Sequence, residues 1–472
     1  MFRNPTIFFL YLWLLPFYLQ SQESNDVQQQ DCVQLDIPIA ITRVLNYNRS
    51  LINTFDSKIK SEYAVILAQS VFDISINPNS RAGYVGGGTD GLGMSVGGGI
   101  DISKRFVMGT SVVASPSVLK TPEHYHANLR ATISQPLLRG FGKNYQLSRL
   151  RGAQFALRSA CRSLFAGQVQ LTIRTIQALY EVIKAEKTME LNKESYARVN
   201  KFYQTARLKA KINISDGLDI YRAEIELNQA EDNLVSSRER LQEAEDVIRD
   251  ILSFPLDVCL KIDLPLIHTV NEMTEEEAIK LALSNRIEME QAEDLYRENY
   301  RVSTVSKENL FPDINLVFDY SNCGRNEIFT RACTSRRESK WGIGFTTSGE
   351  YDPTGDKMAY DESLMAVSSA ERGLEQTKSN ISLEVKRSLR MLQRTYKKIA
   401  LQEEQIKTSQ GQLYLAQLKF TRNMANNFDV LQAEKSLRSS LIAYCSAVID
   451  HIVGEYNFLA ATGLLTDKPC IN

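Results

Sequence analysis

The chain has 472 residues, 43% hydrophobic and 24% charged, a balance that excludes both a disordered polypeptide and a helical membrane protein. Its 55 basic and 56 acidic residues leave a net charge of −1, which argues against bulk electrostatic binding to nucleic acid. Seven scattered cysteines make no CxxC metal motif or disulfide framework, and four histidines offer little for metal or acid–base chemistry.

Residues 1–21 read as a signal peptide. Arg3 precedes an almost wholly apolar run from Ile7 to Leu19, polar sequence follows from Gln20, and cleavage is expected after Ser21. The run is shorter than the roughly 20 residues that a spanning helix needs. Cys32 follows Gln30 and Asp31, without the small-residue context of a lipid-modified cysteine. No later stretch is apolar enough for a membrane helix, so a mature chain that enters a membrane must do so as strands.

Proline spacing sets the organisation. No proline occurs between Pro136 and Pro255 or between Pro353 and Pro469, and both stretches are rich in good helix formers. They predict long helices over 144–212 and 357–422, each roughly 100 Å long, followed by short helices over 216–253 and 426–465. The stretches are also copies of each other. Leu208-Lys209, Asn213, Asp219-Ile220, Ala223-Glu224 and Leu227 recur 210 residues later as Leu418-Lys419, Asn423, Asp429-Val430, Ala433-Glu434 and Leu437. Upstream, Ala40-Ile41 and Leu45 match Ala278-Ile279 and Leu283. The mature chain therefore divides into a first repeat, 22–265, a second repeat, 266–466, and a tail, 467–472. Each repeat is a short helix, a strand region, a long helix and a short helix. The leading short helix of the second repeat is expected over 274–310. Broad apolar stripes such as Leu171, Ile173, Ile176, Leu179, Tyr180 and Ile183 suit a helical wall with neighbours on two sides rather than a simple coiled-coil rod.

The strand regions, about 72–135 and 312–349, alternate with period two. Ile314, Leu316, Phe318 and Tyr320 interleave with Asn315, Val317 and Asp319; Trp341, Ile343 and Phe345 interleave with Gly342, Gly344 and Thr346. Leu129, Ala131 and Ile133 do the same with Arg130, Thr132 and Ser134. Such strands suit one lipid face and one watery face. About four per chain are expected, too few to close a barrel, so several chains must share one. The Gly-rich stretch Gly83 to Gly99 lacks GxxxxGK[ST] and reads as strand or loop; His124 and His126 read as an exposed loop rather than a metal seat. No carboxylate, histidine and serine form a recognisable catalytic set. The chain is read as a non-enzyme without cofactor or metal.

The segment Ile133-Ser134-Gln135-Pro136-Leu137-Leu138-Arg139-Gly140-Phe141-Gly142 resembles the strand-to-helix transition of the TolC-like outer membrane efflux family. Phe311-Pro312-Asp313-Ile314 resembles that family's helix-to-strand entry, and the duplicated Asp-[Ile/Val]-x-x-Ala-Glu segments resemble its short inner helices. The resemblance covers nearly the whole mature chain. It implies a mainly α fold with a membrane β-barrel: a homotrimer with a twelve-stranded barrel in outer membrane lipid and an α-helical barrel through the periplasm. Its partners would be a periplasmic adaptor and an inner-membrane transporter, and nucleic acid would not be among them. A periplasmic adaptor or a structural envelope rod without a channel is the alternative.

Site expectations follow from the same resemblance. The turns Lys211–Leu218 and Asn423–Phe428 would meet the adaptor, with Lys211, Ile212, Asn213, Ile214, Arg422, Asn423 and Met424 at the contact. Where the family usually carries a Val-Gly-like pair, this chain has Ile212-Asn213 and Arg422-Asn423, and asparagine tolerates the left-handed turn. Asp429 and Asp219 occupy equivalent places after the two turns, where the tunnel entrance is expected, and Phe420 would either add an apolar constriction there or pack between helices. Helix capping is the competing role for both aspartates. Ala425 and Gln432 stand where better-known members have an arginine and a second acidic ring, so gate details differ. Independently of the resemblance, Cys323 and Cys333 lie between the two strands of the second repeat in an exported chain and are expected to form a disulfide closing the outer loop, two free thiols being the alternative, with Cys161 and Cys445 as small buried residues.

Overall fold

The computed structural model describes residues 33–86, 92–211, 217–267, 273–334, 338–348, 353–422, 424 and 427–466. The signal peptide and the tail lie outside them. The chain opens with β1 (Val33–Leu35), α1 (Ile37–Tyr47) and α2 (Arg49–Ser70). Four strands follow: β2 (Ser75–Val85), β3 (Gly93–Arg105), β4 (Ser111–Lys120) and β5 (Tyr125–Pro136). The one-turn α3 (Lys143–Gln146) leads to the long α4 (Ser148–Lys211), then α5 (Gly217–Ile251) and β6 (Leu260–Ile262). The second half runs through α6 (Glu275–Asn285), α7 (Ile287–Glu308), β7 (Asp313–Asn326), α8 (Phe329–Thr334), β8 (Glu338–Ser348), α9 (Thr354–Thr421) and α10 (Asn427–Ala461).

The internal duplication is visible in element lengths. α1 and α6 have 11 residues each, α2 and α7 have 22, and α5 and α10 have 35. α4 and α9, with 64 and 68 residues, are about 96 and 102 Å long at the α-helical rise. In place of one short helix over 274–310, the structure has two, broken at Arg286, whose backbone is extended. The equivalent break in the first repeat falls at Asn48, whose side chain accepts from the N–H groups of Ser50 and Leu51 and so starts α2. α6 starts on a capping box between Thr274 and Glu277. α10 stops at Gly463, which adopts φ +74° while Leu464 donates back to the Leu459 carbonyl at 2.8 Å, a Schellman-type end.

Each short pair packs along the long helix of its own repeat, α1 and α2 on α4, α6 and α7 on α9. α5 lies on α4, and α10 lies on both α9 and α4, tying the halves together. The main core sits midway, where Leu35, Ala40 and Val44 meet Ile176, Leu179 and Ile183 of α4, Ile248 and Leu252, and Val448 and Ile452 of α10. The parallel pair β1–β6 closes this region through Leu35, Leu260 and Ile262. A second core joins α6, α9 and α10 through Ala278, Val385, Leu392 and Phe458. Among the described residues, no helix is long and apolar enough to cross a membrane.

The remaining strands form one antiparallel sheet in the order β2-β3-β4-β5-β7-β8. Six strands replace the expected four. The second repeat supplies two and the first supplies four, because the described residues of the Gly-rich stretch, read as strand or loop, end β2 and open β3. Glycine breaks the visible alternation there: Gly97 and Gly99 lie so close to β4 that an added Cβ would fall 2.8 and 2.9 Å from the Val118 and Pro116 carbonyl oxygens.

Candidate functional site

Register determines what each face of the sheet carries. The row Ile76–Ile102–Ala114–Ala131–Tyr320–Trp341 crosses all six strands in direct opposition. Parallel rows on the same face add Tyr84 opposite Met94, Ala82 opposite Val96, Ile133 opposite Phe318, and Phe318 opposite Ile343. Many of these side chains stand open; Tyr84, Trp341 and Phe345 are each more than 70% exposed. A monomeric soluble sheet does not leave such a large contiguous apolar surface uncovered.

The opposite face is polar. Its row Asn79–Gly99–Ser117–Asn128–Cys323–Glu338 also crosses all six strands. Side chains bond across the ladder on this face: Asn79 donates to Asp101 at 2.8 Å, and Thr132 donates to Asp319 at 2.7 Å. Strands of 10–14 residues match the length a tilted transmembrane strand requires, roughly 9–11 residues.

The expected disulfide on this sheet is absent. Cys323 and Cys333 are both free thiols. Cys323 lies on the polar face of β7 and donates to Asn128 Oδ1 at 3.2 Å, while Cys333 sits on α8, lining a groove with Ser117 and Leu129. Instead, Cys259, one residue before β6, is disulfide-bonded. Nothing in the sequence marks it, since its significance depends on β6 pairing with β1. His126 belongs to β5 rather than a loop, and the neighbouring His124 Nδ1 lies 3.3 Å from Arg325 Nη2.

At the far end of the long helices, α4 and α9 finish side by side. Phe420 packs edge-on against Phe202, with ring centroids 6.3 Å apart, and Lys209 Nζ stands 3.7 Å from its ring. The ring is thus held in contact between helices of one chain, the inter-helix packing that was one of its two expected roles. Lys211 is exposed on the last residue of α4, Arg422 is exposed at the end of α9, and Met424 is 76% exposed. Ile212, Asn213, Ile214 and Asn423 lie outside the described residues. Asp429 stands exposed in the first turn of α10. Asp219 occupies the same position in α5; its side chain lies outside the described residues.

Behind this end, Arg198 of α4 reaches Glu434 of α10, with Nε donating to Oε1 at 2.6 Å. Glu434 is 1% exposed, whereas its repeat counterpart Glu224 is exposed. Towards the sheet, Arg158 and Arg162 of α4 grip Asp294 of α7 with bonds of 2.8–3.1 Å. Burial alone would push the Asp294 carboxyl up, but hydrogen bonds and charge from the two arginines together outweigh it and hold it below 3.8.

No family model matches the sequence, and no curated protein matches it significantly. Solved structures do match. The Campylobacter jejuni CmeC outer membrane channel aligns at 10% identity over 91% of this chain and 86% of its own, with a TM-score of 0.72. The Vibrio cholerae outer membrane protein VceC aligns at 12% identity over 90% and 96%, with 0.70. The open state of the Neisseria gonorrhoeae MtrE outer membrane channel aligns at 15% identity over 91% and 89%, with 0.68. At these identities the likeness concerns fold, and it spans nearly the full length on both sides. The TolC-like resemblance read from residues therefore holds at the level of architecture: this chain has the fold of the outer membrane channels, α-helical tunnel and β-barrel wall together.

Proposed function

We propose that the protein is an outer membrane channel-tunnel that exports solutes or proteins across the periplasm and outer membrane. The observation that carries this reading is the six-stranded sheet with one continuous apolar face and one polar face, mounted on helices about 100 Å long. The apolar face meets lipid, and the polar face lines water. Three copies assemble around a common axis, with the helices forming the periplasmic wall and their free ends meeting a periplasmic adaptor and an inner-membrane transporter. Lys211, Arg422 and Met424 belong to that contact, and the paired carboxylates Asp429 and Asp219 ring the entrance.

Membrane extraction tests the reading. The mature chain should stay with the outer membrane through an alkaline wash and migrate as a stable trimer until heated. Release by alkali as a monomer would identify a peripheral rod or adaptor instead.

A further inference from the structure

Among the described residues the sheet ends in two unpaired edges, β2 and β8. Each strand has 11 residues and is exposed throughout. They are antiparallel to one another, since five antiparallel pairings separate them. Each presents the same two-faced pattern, with Ile76, Ala82 and Tyr84 on the apolar face of β2 and Trp341, Ile343 and Phe345 on that of β8. Hydrocarbon does not tolerate an open edge, because unpaired N–H and C=O groups cost several kcal/mol each there. Six strands cannot close on themselves, since about eight are needed merely to surround packed side chains. The edges must therefore be covered by other copies, and β8 of one chain against β2 of the next preserves strand direction and both faces.

From this geometry we infer that the barrel is built from six strands per chain, with the β2–β3 hairpin as a full part of its wall. The inference rests on the trimeric channel reading; three copies then give eighteen strands. Diameter grows roughly linearly with strand number, so this barrel is about half again as wide as one built from four strands per chain. The extra hairpin contributes lumenal glycines, Gly83, Gly97 and Gly99, whose missing side chains keep the added wall thin on the water side. Such a wall suits cargo bulkier than a four-strand arrangement passes, with narrowing left to the helical end.

Pro78 does not forbid an interior place for β2. The sheet already holds Pro116 inside β4, with the ladder interrupted only between the Gly99–Ser117 and Ile102–Ala114 pairs. One missing donor in β2 is comparable.

Disulfide trapping in the full-length protein tests the seam. Cysteines introduced as Asn77→Cys or Arg81→Cys on β2 are combined with Gly342→Cys or Gly344→Cys on β8, where an added Cβ meets nothing within 4 Å. Cys323 and Cys333 are replaced by serine throughout. At least one combination should yield covalent dimers and trimers on non-reducing gels, while every single variant stays monomeric after heating. A single-particle reconstruction of the same trimers should count eighteen strands. Linkage of β8 to Ser115→Cys on β4 of another copy, with a twelve-stranded wall, would overturn the inference and leave the channel reading intact. A monomer washed from membranes by alkali would overturn both.

Discussion

Arg198 and Glu434 form a charge pair joining the first repeat to the second, with an N–O distance of 2.6 Å and the carboxylate almost fully enclosed. Both residues lie in the half of the helical wall that leads to the free ends of α4 and α9. A carboxylate in that setting is stabilised only while its partner remains. Arg198→Ala should loosen α10 from α4 by about 3 kcal/mol, the low end for a broken buried pair because the guanidinium is one-third exposed. That corresponds to on the order of a hundredfold in local opening, readable as faster amide exchange in the first half of α10. Adding Glu434→Gln should recover most of the loss. Unchanged exchange in Arg198→Ala would remove the pair as a link between repeats.

Asp294 gives a pH signature. Its folded-state carboxyl titrates below the ordinary value of 3.8, so its contribution is complete above that value and disappears as pH falls through the lower folded value. Asp294→Asn should therefore lower the melting temperature near neutrality and have little effect in strong acid, where the wild-type carboxyl is protonated as well. An equal deficit at both pH values would assign the effect to packing rather than charge.

The cysteines divide cleanly. Cys161, Cys323, Cys333 and Cys445 are free and Cys259 is bonded, so among the seven cysteines of the sequence Cys32 and Cys470 are the candidates for its partner. Val33, the neighbour of Cys32, donates its N–H to the Cys259 carbonyl at 3.0 Å, which favours Cys32. A non-reduced digest should contain a Cys32–Cys259 linked peptide, with Cys323 and Cys333 open to alkylation. A Cys259–Cys470 link, or a linked Cys323–Cys333 peptide, contradicts this assignment.

The tip separates docking from gating. Lys211→Glu with Arg422→Glu should weaken export and adaptor crosslinking while trimer and barrel remain. Asp429→Ala should instead reduce cation selectivity and block by trivalent cations in single-channel recordings, because three carboxylates around one axis attract cations. If selectivity and block persist, Asp429 serves only α10, in whose first turn it stands.

The helical half was legible because helix formers accumulate where proline is absent and because the repeat is copied residue by residue, as with Ala223 and Ala433, both fully buried. β7 and β8 were legible because Phe318, Tyr320, Trp341 and Ile343 make their apolar face conspicuous. β2 and β3 were not resolved as separate strands, because Gly83, Gly97, Gly98 and Gly99 leave blanks in the pattern, and a blank fits strand and loop alike until a neighbouring strand is seen against it. The break at Arg286 was hidden for a different reason. Arginine favours helix, and the ion pair that Arg286 makes to Glu384, 98 residues away, is one that no local pattern reveals. The packing partners of Phe420 were not legible, because Phe202 and Lys209 are more than 200 residues away in sequence.

Planar-bilayer recording of three forms of the full-length protein tests the central claim, a water-filled wall with one lipid face and one lumenal face. Ile343→Arg and Gly344→Arg place the same charge on adjacent residues of β8 that point to opposite faces. Wild type should insert and give discrete conductance steps. Gly344→Arg should insert as well, with altered conductance and selectivity. Ile343→Arg should insert poorly, since an arginine on the lipid face costs about 2–4 kcal/mol near the bilayer midplane. Equal insertion and equal conductance in all three forms, or no conductance from inserted wild type, would contradict the account.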